Sequence, residues 1–140
     1  MSEDVLGVKV GDTAAFTKTV SDDDIASFAR ATGDDQPLHL DDAYAAATRF
    51  KRRIAHGMLS AGFISAALGT KLAPHCCVIY LSQTLRFLRP VKIGDTVKVV
   101  AEVKGMEPEK RVLTVETNWF NQNGDPLVRG EAVVLLDPVN

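Results

Sequence analysis

The sequence predicts an α+β fold in which an antiparallel sheet wraps around one buried helix. Two observations lead to this prediction. Residues 57 to 68 carry no charge and are apolar on nearly every side, which is typical of a helix buried inside a protein. After residue 76, apolar and polar side chains alternate in a series of strand-like runs. An antiparallel sheet with one apolar face needs a cover, and the apolar helix supplies it. This arrangement is the hotdog fold.

Length and charge set further bounds. The chain has 140 residues, which suits a single domain spanning 1–140. Its net charge of −2 argues against a general nucleic-acid-binding protein, which would carry a basic excess. No apolar run reaches the roughly 20 residues of a membrane span, and the first residues do not resemble a signal peptide. We therefore expect a cytoplasmic protein that binds neither nucleic acid nor membrane.

The chain begins with an expected edge strand and a capped helix. Residues 7 to 20 alternate loosely, as an edge strand would. Ser21 is followed by three aspartates, and a hydroxyl cap with acids in the first turn marks a helix N-terminus. Gly33 ends this helix.

The next stretch is predicted to be irregular. Residues 34 to 40 read as a loop, in which Pro37 restricts its neighbour Gln36 to extended geometry. Asp41 and Asp42 then cap a short helix through Ala47.

Four strands are expected after the buried helix. They are separated by turns at 94–95 and 107–109 and by Asn123-Gly124, a strong hairpin signal. The predicted strands cover 78 to 88, 97 to 104, 113 to 119 and 127 to 136.

One pair of side chains could carry chemistry in the predicted loop. Asp34 and His39 are a carboxylate and an imidazole five residues apart, and together they could activate a water molecule. The alternative is that Asp34 is a turn residue and His39 an ordinary surface histidine. Spacing alone leaves both readings open.

The start of the buried helix offers a second candidate. The backbone N–H of Gly57 at a helix N-terminus could stabilise negative charge on a thioester oxygen, or the glycine could serve packing alone. His56 could face the site or cap the helix. Ser65, a hydroxyl inside the helix, could support the site or bond back to a carbonyl one turn earlier.

A metal site is not expected. His75, Cys76 and Cys77 are contiguous, whereas a tetrahedral zinc site needs four well-spaced ligands. We expect the two cysteines to be buried and unreactive.

Several segments resemble the R-specific enoyl-CoA hydratases and the wider MaoC-like dehydratases. The similarity extends from about residue 5 to residue 137, and its most specific part is an Asp-x-x-Pro-Leu-His pattern followed by His-Gly-Met. The segments are FARATGDDQPLHLD (28–41), IAHGML (54–59), YLSQTLRF (80–87), PVKIGD (90–95) and GEAVV (130–134).

The resemblance implies a fold, a reaction and a set of residue roles. Asp34 and His39 correspond to the catalytic pair, Gly57 to the oxyanion donor and Ser65 to a supporting serine. Asp34 is then expected to act as base, and His39 to orient water and donate a proton. The reaction would hydrate a trans-2-enoyl-CoA to the (R)-3-hydroxyacyl-CoA, or reverse this. The resemblance further implies a hotdog homodimer whose coenzyme A thioester is a substrate, with no cofactor.

Binding of the coenzyme and of the acyl chain has less specific candidates. The segment 49 to 53 is more basic than expected from the family and could meet coenzyme A phosphates, or could simply be solvated. The phosphate candidates are Arg52, Arg53, Arg86 and Arg89, with Lys92 as a further rival. The acyl-pocket candidates are Ile64, Leu68 and Val134.

Other functions remain open at this point. The same Asp–His pair would serve a 3-hydroxyacyl-ACP dehydratase or a branched-enoyl (mesaconyl-type) hydratase. A hotdog could instead be a non-catalytic acyl-thioester binding module, which would not need the pair. A hotdog thioesterase would hydrolyse the thioester, and the paired Asp34 and His39 argue against it.

Overall fold

Five strands and four α-helices make up the part of the chain that the structure describes. The computed structural model describes residues 3–140. The elements are β1 (Thr13–Thr19), α1 (Asp22–Thr32), α2 (Pro37–Leu40), α3 (Asp42–Ala46), α4 (Gly57–Ala66), β2 (Cys76–Phe87), β3 (Thr96–Glu107), β4 (Val112–Phe120) and β5 (Pro126–Pro138). A π-helical segment, Ala67–Leu72, extends α4, and a 3₁₀ turn, Pro108–Lys110, joins β3 to β4.

The strands form one antiparallel sheet in the order β1-β3-β4-β5-β2. β1 and β2 are the two edges. The predicted leading edge strand and the four strands after the helix are therefore confirmed. The alternating pattern predicted them because successive side chains of a strand point to opposite faces of the sheet.

The core lies between the sheet and the helix. Buried side chains of β3, β4 and β5 form one hydrophobic cluster with residues of α4 and of the π-helical segment. Trp119 on β4 is fully buried, and its indole N–H donates to the carbonyl of Ser60 on α4 at 2.9 Å. The predicted α+β hotdog arrangement, a sheet around a central helix, is confirmed.

One side of α4 is open in this chain, although its sequence predicts burial on nearly all sides. Ser60, Ala61 and Ile64 are buried, whereas Met58 is 59% exposed and Ser65 is exposed. The helix also continues past residue 68, where the predicted apolar stretch ends, to Leu72 in π-helical form. A helix whose sequence is apolar all round has a second apolar surface that the sheet of one chain does not cover.

The first helix follows its sequence signals. Ser21 caps α1 in a reciprocal capping box with Asp24, and Gly33 ends the helix with a φ of 84°. Burial tends to raise the pKa of Asp24, but hydrogen bonds from Ser21 and Lys18 hold this pKa below its usual value.

The predicted loop at 34 to 40 is partly wrong. Pro37 is the first residue of the short helix α2, which continues to Leu40. The fixed φ of proline suits the first helical position, where its missing N–H has no partner to lose. This turn of helix carries His39. As predicted, Asp41 caps the next helix, α3, by accepting from Tyr44 N–H at 3.0 Å.

None of the helices in residues 3–140 combines the length and the apolar character that a membrane crossing requires.

Candidate active site

His39 is held inside the molecule by its main-chain surroundings. Its side chain is buried at 8% exposure, and Nδ1–H donates to the carbonyl of Ile54 at 2.7 Å. Because a carbonyl oxygen can only accept, this bond places the hydrogen on Nδ1. The other ring nitrogen, Nε2, is then the atom available to a water or a substrate.

His56 lies against His39. The two rings are stacked, with centroids 4.0 Å apart and planes inclined by 27°. His56 is 2% exposed, and its Nε2–H donates to the carbonyl of Asp34 at 2.9 Å. The structure therefore brings His56 into the site that Asp34 and His39 form, as the sequence left open.

Asp34 stands at the exposed rim of this group. It directly follows Gly33 and forms a local turn, in which its Oδ1 accepts from Gln36 N–H at 3.2 Å. Single polar atoms of Asp34, His39 and His56 all lie within 4.8 Å of one another. A carboxylate and an imidazole at this separation can bind the same water, which is the chemistry predicted from the loop.

Gly57 begins α4 directly after His56, so the helix N-terminus opens beside the pair. His56 makes no side-chain cap to this end of the helix. The ring of Phe87 lies close by, since a Cβ added to Gly57 would be 3.0 Å from Phe87 Cε1. A glycine therefore leaves room for an aromatic ring at the point where a helix N-terminus favours negative charge.

The trio of Asp34, His39 and His56 also has the composition of a metal site. One nitrogen of each imidazole, however, already bonds a main-chain carbonyl: His39 Nδ1 bonds that of Ile54 and His56 Nε2 that of Asp34. The remaining nitrogen of His56, Nδ1, is buried, so an ion at this trio would have to displace one of these bonds or enter the interior. The arrangement fits water activation better than metal binding.

Arg53 contacts protein groups on three helices. Its Nε donates to the carbonyl of His39 at 2.8 Å, and its guanidinium pairs with Asp22 and, at 3.8 Å, with Asp42. The side chain is only 12% exposed. Because Nε and Nη2 already have protein partners, Arg53 braces the His39 segment. Its assignment to coenzyme A phosphates stays a prediction.

The remaining arginine candidates are spread over the surface. Arg89 lines an open, largely apolar pocket of about 290 Å³. Arg86 lies in a separate pocket, where it faces Arg129 across the β2–β5 pair. Arg52 is exposed, and so is Lys92. The pocket of Arg89 adjoins the site, because Ile54 and Phe87 line it; its residues are Phe50, Ile54, Phe87, Leu88, Arg89 and Pro90.

The other predicted residues lie on the exposed side of α4 or in the core. Ser65 lies on the exposed side of α4, two turns beyond Gly57. Ile64, Leu68 and Val134 belong to the hydrophobic core, with no more than 3% exposure each. Their assignment to an acyl pocket stays a prediction.

The cysteines are not both buried, contrary to expectation. Cys77 is exposed and Cys76 is partly buried, and both are free thiols. They open the edge strand β2, where alternate side chains face opposite sides of the sheet, so two adjacent cysteines cannot both point inward. Burial raises the pKa of the Cys76 thiol.

A polar network links β2 to β4 across β5, and none of its residues is among the predicted site residues. Tyr80 O–H donates to the Gln83 side chain, whose Nε2 donates to Thr117 Oγ1 at 3.0 Å. Burial raises the pKa of Tyr80 to about 12. Thr117 is fully buried on a strand face shared with apolar residues. The sequence signal for this network is the Thr117 hydroxyl on an apolar strand face, because a buried polar group needs a hydrogen-bond partner.

Gly130 makes room for this network. A Cβ at this position would collide with the carbonyl oxygen of Thr84 and would lie 2.8 Å from Gln83 Nε2. β5 therefore approaches β2 here more closely than a side chain would allow.

Comparison with known proteins gives consistent matches. An (R)-specific enoyl-CoA hydratase of Rhodospirillum rubrum is 47% identical over 129 residues, which cover 92% of this chain and 88% of that protein. The solved R-hydratase PhaJ1 from Pseudomonas aeruginosa is 47% identical with a TM-score of 0.88, covering 96% of this chain and 85% of that one. The (R)-hydratase of A. caviae involved in PHA biosynthesis is 42% identical with a TM-score of 0.88, covering 93% and 98%.

A comparison with protein-family models agrees with these matches. The model described as "MaoC like domain" matches residues 8–122, which include α1 to α4 and the strands β1 to β4. The matched region contains Asp34, His39, His56 and Gly57. The chain therefore belongs to the MaoC-like domain family.

Proposed function

We propose that this protein is an (R)-specific enoyl-CoA hydratase, a hydro-lyase that adds water to a trans-2-enoyl-CoA and catalyses the reverse dehydration. The observation that carries the proposal is the grouping of Asp34 and His39 beside the N-terminus of α4. The relatives named as (R)-specific enoyl-CoA hydratases, at 47% identity for the one from Rhodospirillum rubrum, support the substrate class.

The proposed chemistry begins at the thioester carbonyl. Its oxygen accepts from the Gly57 N–H, which draws electron density from C3 and stabilises the enolate that forms on attack. A preorganised donor of this kind is typically worth about 3 kcal/mol of transition-state stabilisation. Gly57, which begins α4, is an exposed residue, and this supports access of a substrate to the helix N-terminus.

Water is the nucleophile in this proposal. Asp34 and His39 Nε2 hold it, and Asp34 takes a proton as the oxygen bonds to C3. The Asp34–His39 pair then returns one proton to C2 on the same side, so the hydroxyl and the hydrogen of one water are both accounted for. The oxidation level of the substrate carbons is unchanged overall, so the proposal requires no redox cofactor.

The coenzyme A part of the bound substrate would extend from the site along the pocket lined by Phe87 and Arg89. This pocket is largely apolar and open, and it adjoins Gly57 through Phe87. An apolar groove suits a pantetheine arm, and a guanidinium at its edge suits a phosphate. Among the arginine candidates, we therefore favour Arg89 for a coenzyme A phosphate.

The working unit is proposed to be a homodimer joined through β2. This strand is a 12-residue edge of the sheet, and such an edge presents unpaired backbone groups. It carries exposed apolar side chains, among them Leu81 at 53%. The exposed side of α4, with Met58 and Ser65, is a second uncovered surface. In a symmetric dimer, the same two surfaces of a second copy would cover β2 and the exposed side of α4.

We propose that the enzyme acts in the cytoplasm on acyl-CoA substrates. The relatives named as (R)-specific enoyl-CoA hydratases support the substrate class.

A direct assay tests the function. Purified protein is mixed with crotonyl-CoA, loss of the enoyl absorbance is followed, and the chirality of the product is determined. The expected product is (R)-3-hydroxybutyryl-CoA. Asp34→Asn is expected to lower kcat by at least about 100-fold, whereas Asp35→Asn, an equally exposed neighbour, should leave it nearly unchanged.

Other outcomes would contradict the proposal in distinguishable ways. Release of free thiol without hydration would indicate a thioesterase. Binding of crotonyl-CoA without turnover would indicate a binding module. Full activity of the Asp34→Asn variant would exclude the proposed base.

A further inference from the structure

Two segments of the site are tied together by a reciprocal pair of hydrogen bonds. His39 donates to the carbonyl of Ile54 at 2.7 Å, and His56 donates to the carbonyl of Asp34 at 2.9 Å. Each imidazole thus binds the main chain of the segment that carries the other. The first bond orients His39, which the proposed mechanism already uses, but the second has no part in that mechanism.

The Asp34 end of this arrangement depends on distant contacts. The other hydrogen bonds of Asp34 among the described residues are local. Its N–H donates to Thr32 Oγ1, and its Oδ1 accepts from Gln36 N–H. Residues 33 to 37 are all exposed, so packing supplies little constraint. The bond from His56 joins residues 22 apart in sequence and fixes the main chain at Asp34 to the interior.

The environment of His56 explains why this bond requires a histidine. Its ring contacts the rings of His39 at 4.0 Å and of Phe28 at 4.6 Å, which is packing that a phenyl ring could also provide. The second ring nitrogen, Nδ1, is buried and has no hydrogen-bond partner in the part of the chain that the structure describes. A buried polar atom without a partner is unfavourable, so the polar ring is justified by the Nε2 bond to Asp34.

His56 is poorly placed to act on a substrate itself. It is 2% exposed, its Nε2 is engaged by Asp34, and His39 covers part of its ring. We propose that His56 is a positioning residue, which holds the main chain of Asp34 so that the Asp34 carboxylate and His39 Nε2 address the same water. This inference rests on the proposed hydratase function.

Two substitutions separate the hydrogen bond from the packing. In His56→Gln, the side-chain amide nitrogen can occupy the place of Nε2 and donate to Asp34, but the ring is lost. In His56→Phe, the ring is kept and the donor is lost. The kcat and KM for crotonyl-CoA and the midpoint of thermal unfolding are measured for both variants and for the wild type.

The expected pattern differs from that of a purely structural role. His56→Phe should lower kcat by about tenfold or more, because small displacements of catalytic groups are costly, while KM stays within about threefold. His56→Gln should recover most of kcat even where its thermal midpoint is lower. A wild-type kcat in His56→Phe would overturn the proposal, and so would equal losses of kcat in both variants.

A second measurement applies even where His56→Phe does not fold. Nitrogen-15 NMR of the wild-type imidazoles reports which ring nitrogen carries the hydrogen. The proposal requires hydrogen on Nε2 of His56, and a ring protonated on Nδ1 alone would overturn it. Failure of the proposed function would look different, because the wild-type protein itself would then not hydrate crotonyl-CoA.

Discussion

The guanidinium of Arg53 donates from Nε to the main-chain carbonyl of His39 at 2.8 Å, while its outer nitrogens pair with aspartates of α1 and α3. One side chain thus joins the two flanking helices to the short helix that carries the imidazole. This connection makes the site dependent on a residue that touches no substrate in the proposed mechanism.

Replacement of Arg53 by alanine is expected to lower stability. The change leaves the His39 carbonyl without this donor, which costs about 1–3 kcal/mol for a buried group. The free energy of unfolding in urea checks this, and Arg52→Ala is the matched control, because Arg52 is exposed. Equal stability of the two variants would contradict the bracing role.

Replacement of His39 by asparagine should separate folding from catalysis. The asparagine amide nitrogen can take the place of Nδ1 and still donate to Ile54, but nothing replaces Nε2. We expect stability close to that of the wild type and a loss in kcat of about 100-fold or more. His39→Ala, which also loses the Ile54 bond, should be less stable by about 1–3 kcal/mol. More than a tenth of wild-type activity in His39→Asn would exclude Nε2 from the chemistry.

Replacement of Gly57 by alanine should destabilise the protein, although alanine is the better helix former. The added Cβ would lie 3.0 Å from the Phe87 ring, which must shift by a few tenths of an ångström. Because Phe87 is 50% exposed and can shift, the cost should fall at the low end of the roughly 1–3 kcal/mol of overpacking. A double-mutant cycle with Phe87→Leu measures the coupling by urea unfolding. Additive effects of the two substitutions would show that Phe87 is not the obstacle.

Replacement of Arg89 by alanine tests the route of the coenzyme. KM for crotonyl-CoA should rise about fivefold at low salt, as loss of one charged contact at a surface implies. KM for a crotonyl thioester of N-acetylcysteamine, which has no phosphates, should not change. Arg86→Ala is the control, because Arg86 lines a different pocket. An unchanged KM in Arg89→Ala would remove Arg89 from the phosphate site.

Replacement of Leu81 by lysine tests the homodimer. A charged side chain on an edge strand opposes pairing with another strand, so the variant should be monomeric by light scattering after size exclusion. Val10→Lys is the control, since Val10 is 57% exposed but lies before β1, at the opposite edge of the sheet. A wild-type protein that is already monomeric would contradict the proposed working unit.

The sheet was predictable from sequence because its signal repeats along the chain. In β3 and β4, alternate apolar residues share one face over many residues, so errors at single positions do not change the reading. The turn at Asn123-Gly124 and the caps of α1 depend on neighbours a few residues apart, and they were equally visible.

The site was only partly predictable. Asp34, His39 and Gly57 stand out by residue type and spacing, but the bonds that orient them join distant parts of the chain. Ile54 contributes a backbone carbonyl, which has no residue-type signal. Arg53 looked like a surface cation because its aspartate partner on α1 is 31 residues away. The sequence does not distinguish the start of α2 at Pro37 from a loop, because proline marks helix starts and loops alike.

The close approach at Gly130 has a consequence for how this protein can change. A Cβ at this position would collide with the main-chain oxygen of Thr84, so a smaller neighbouring side chain cannot relieve the clash. Any amino acid with a Cβ would have to separate the edge strand from β5, and no single compensating substitution restores the lost space. We therefore expect position 130 to accept only glycine, whatever substitutions occur elsewhere in the sheet.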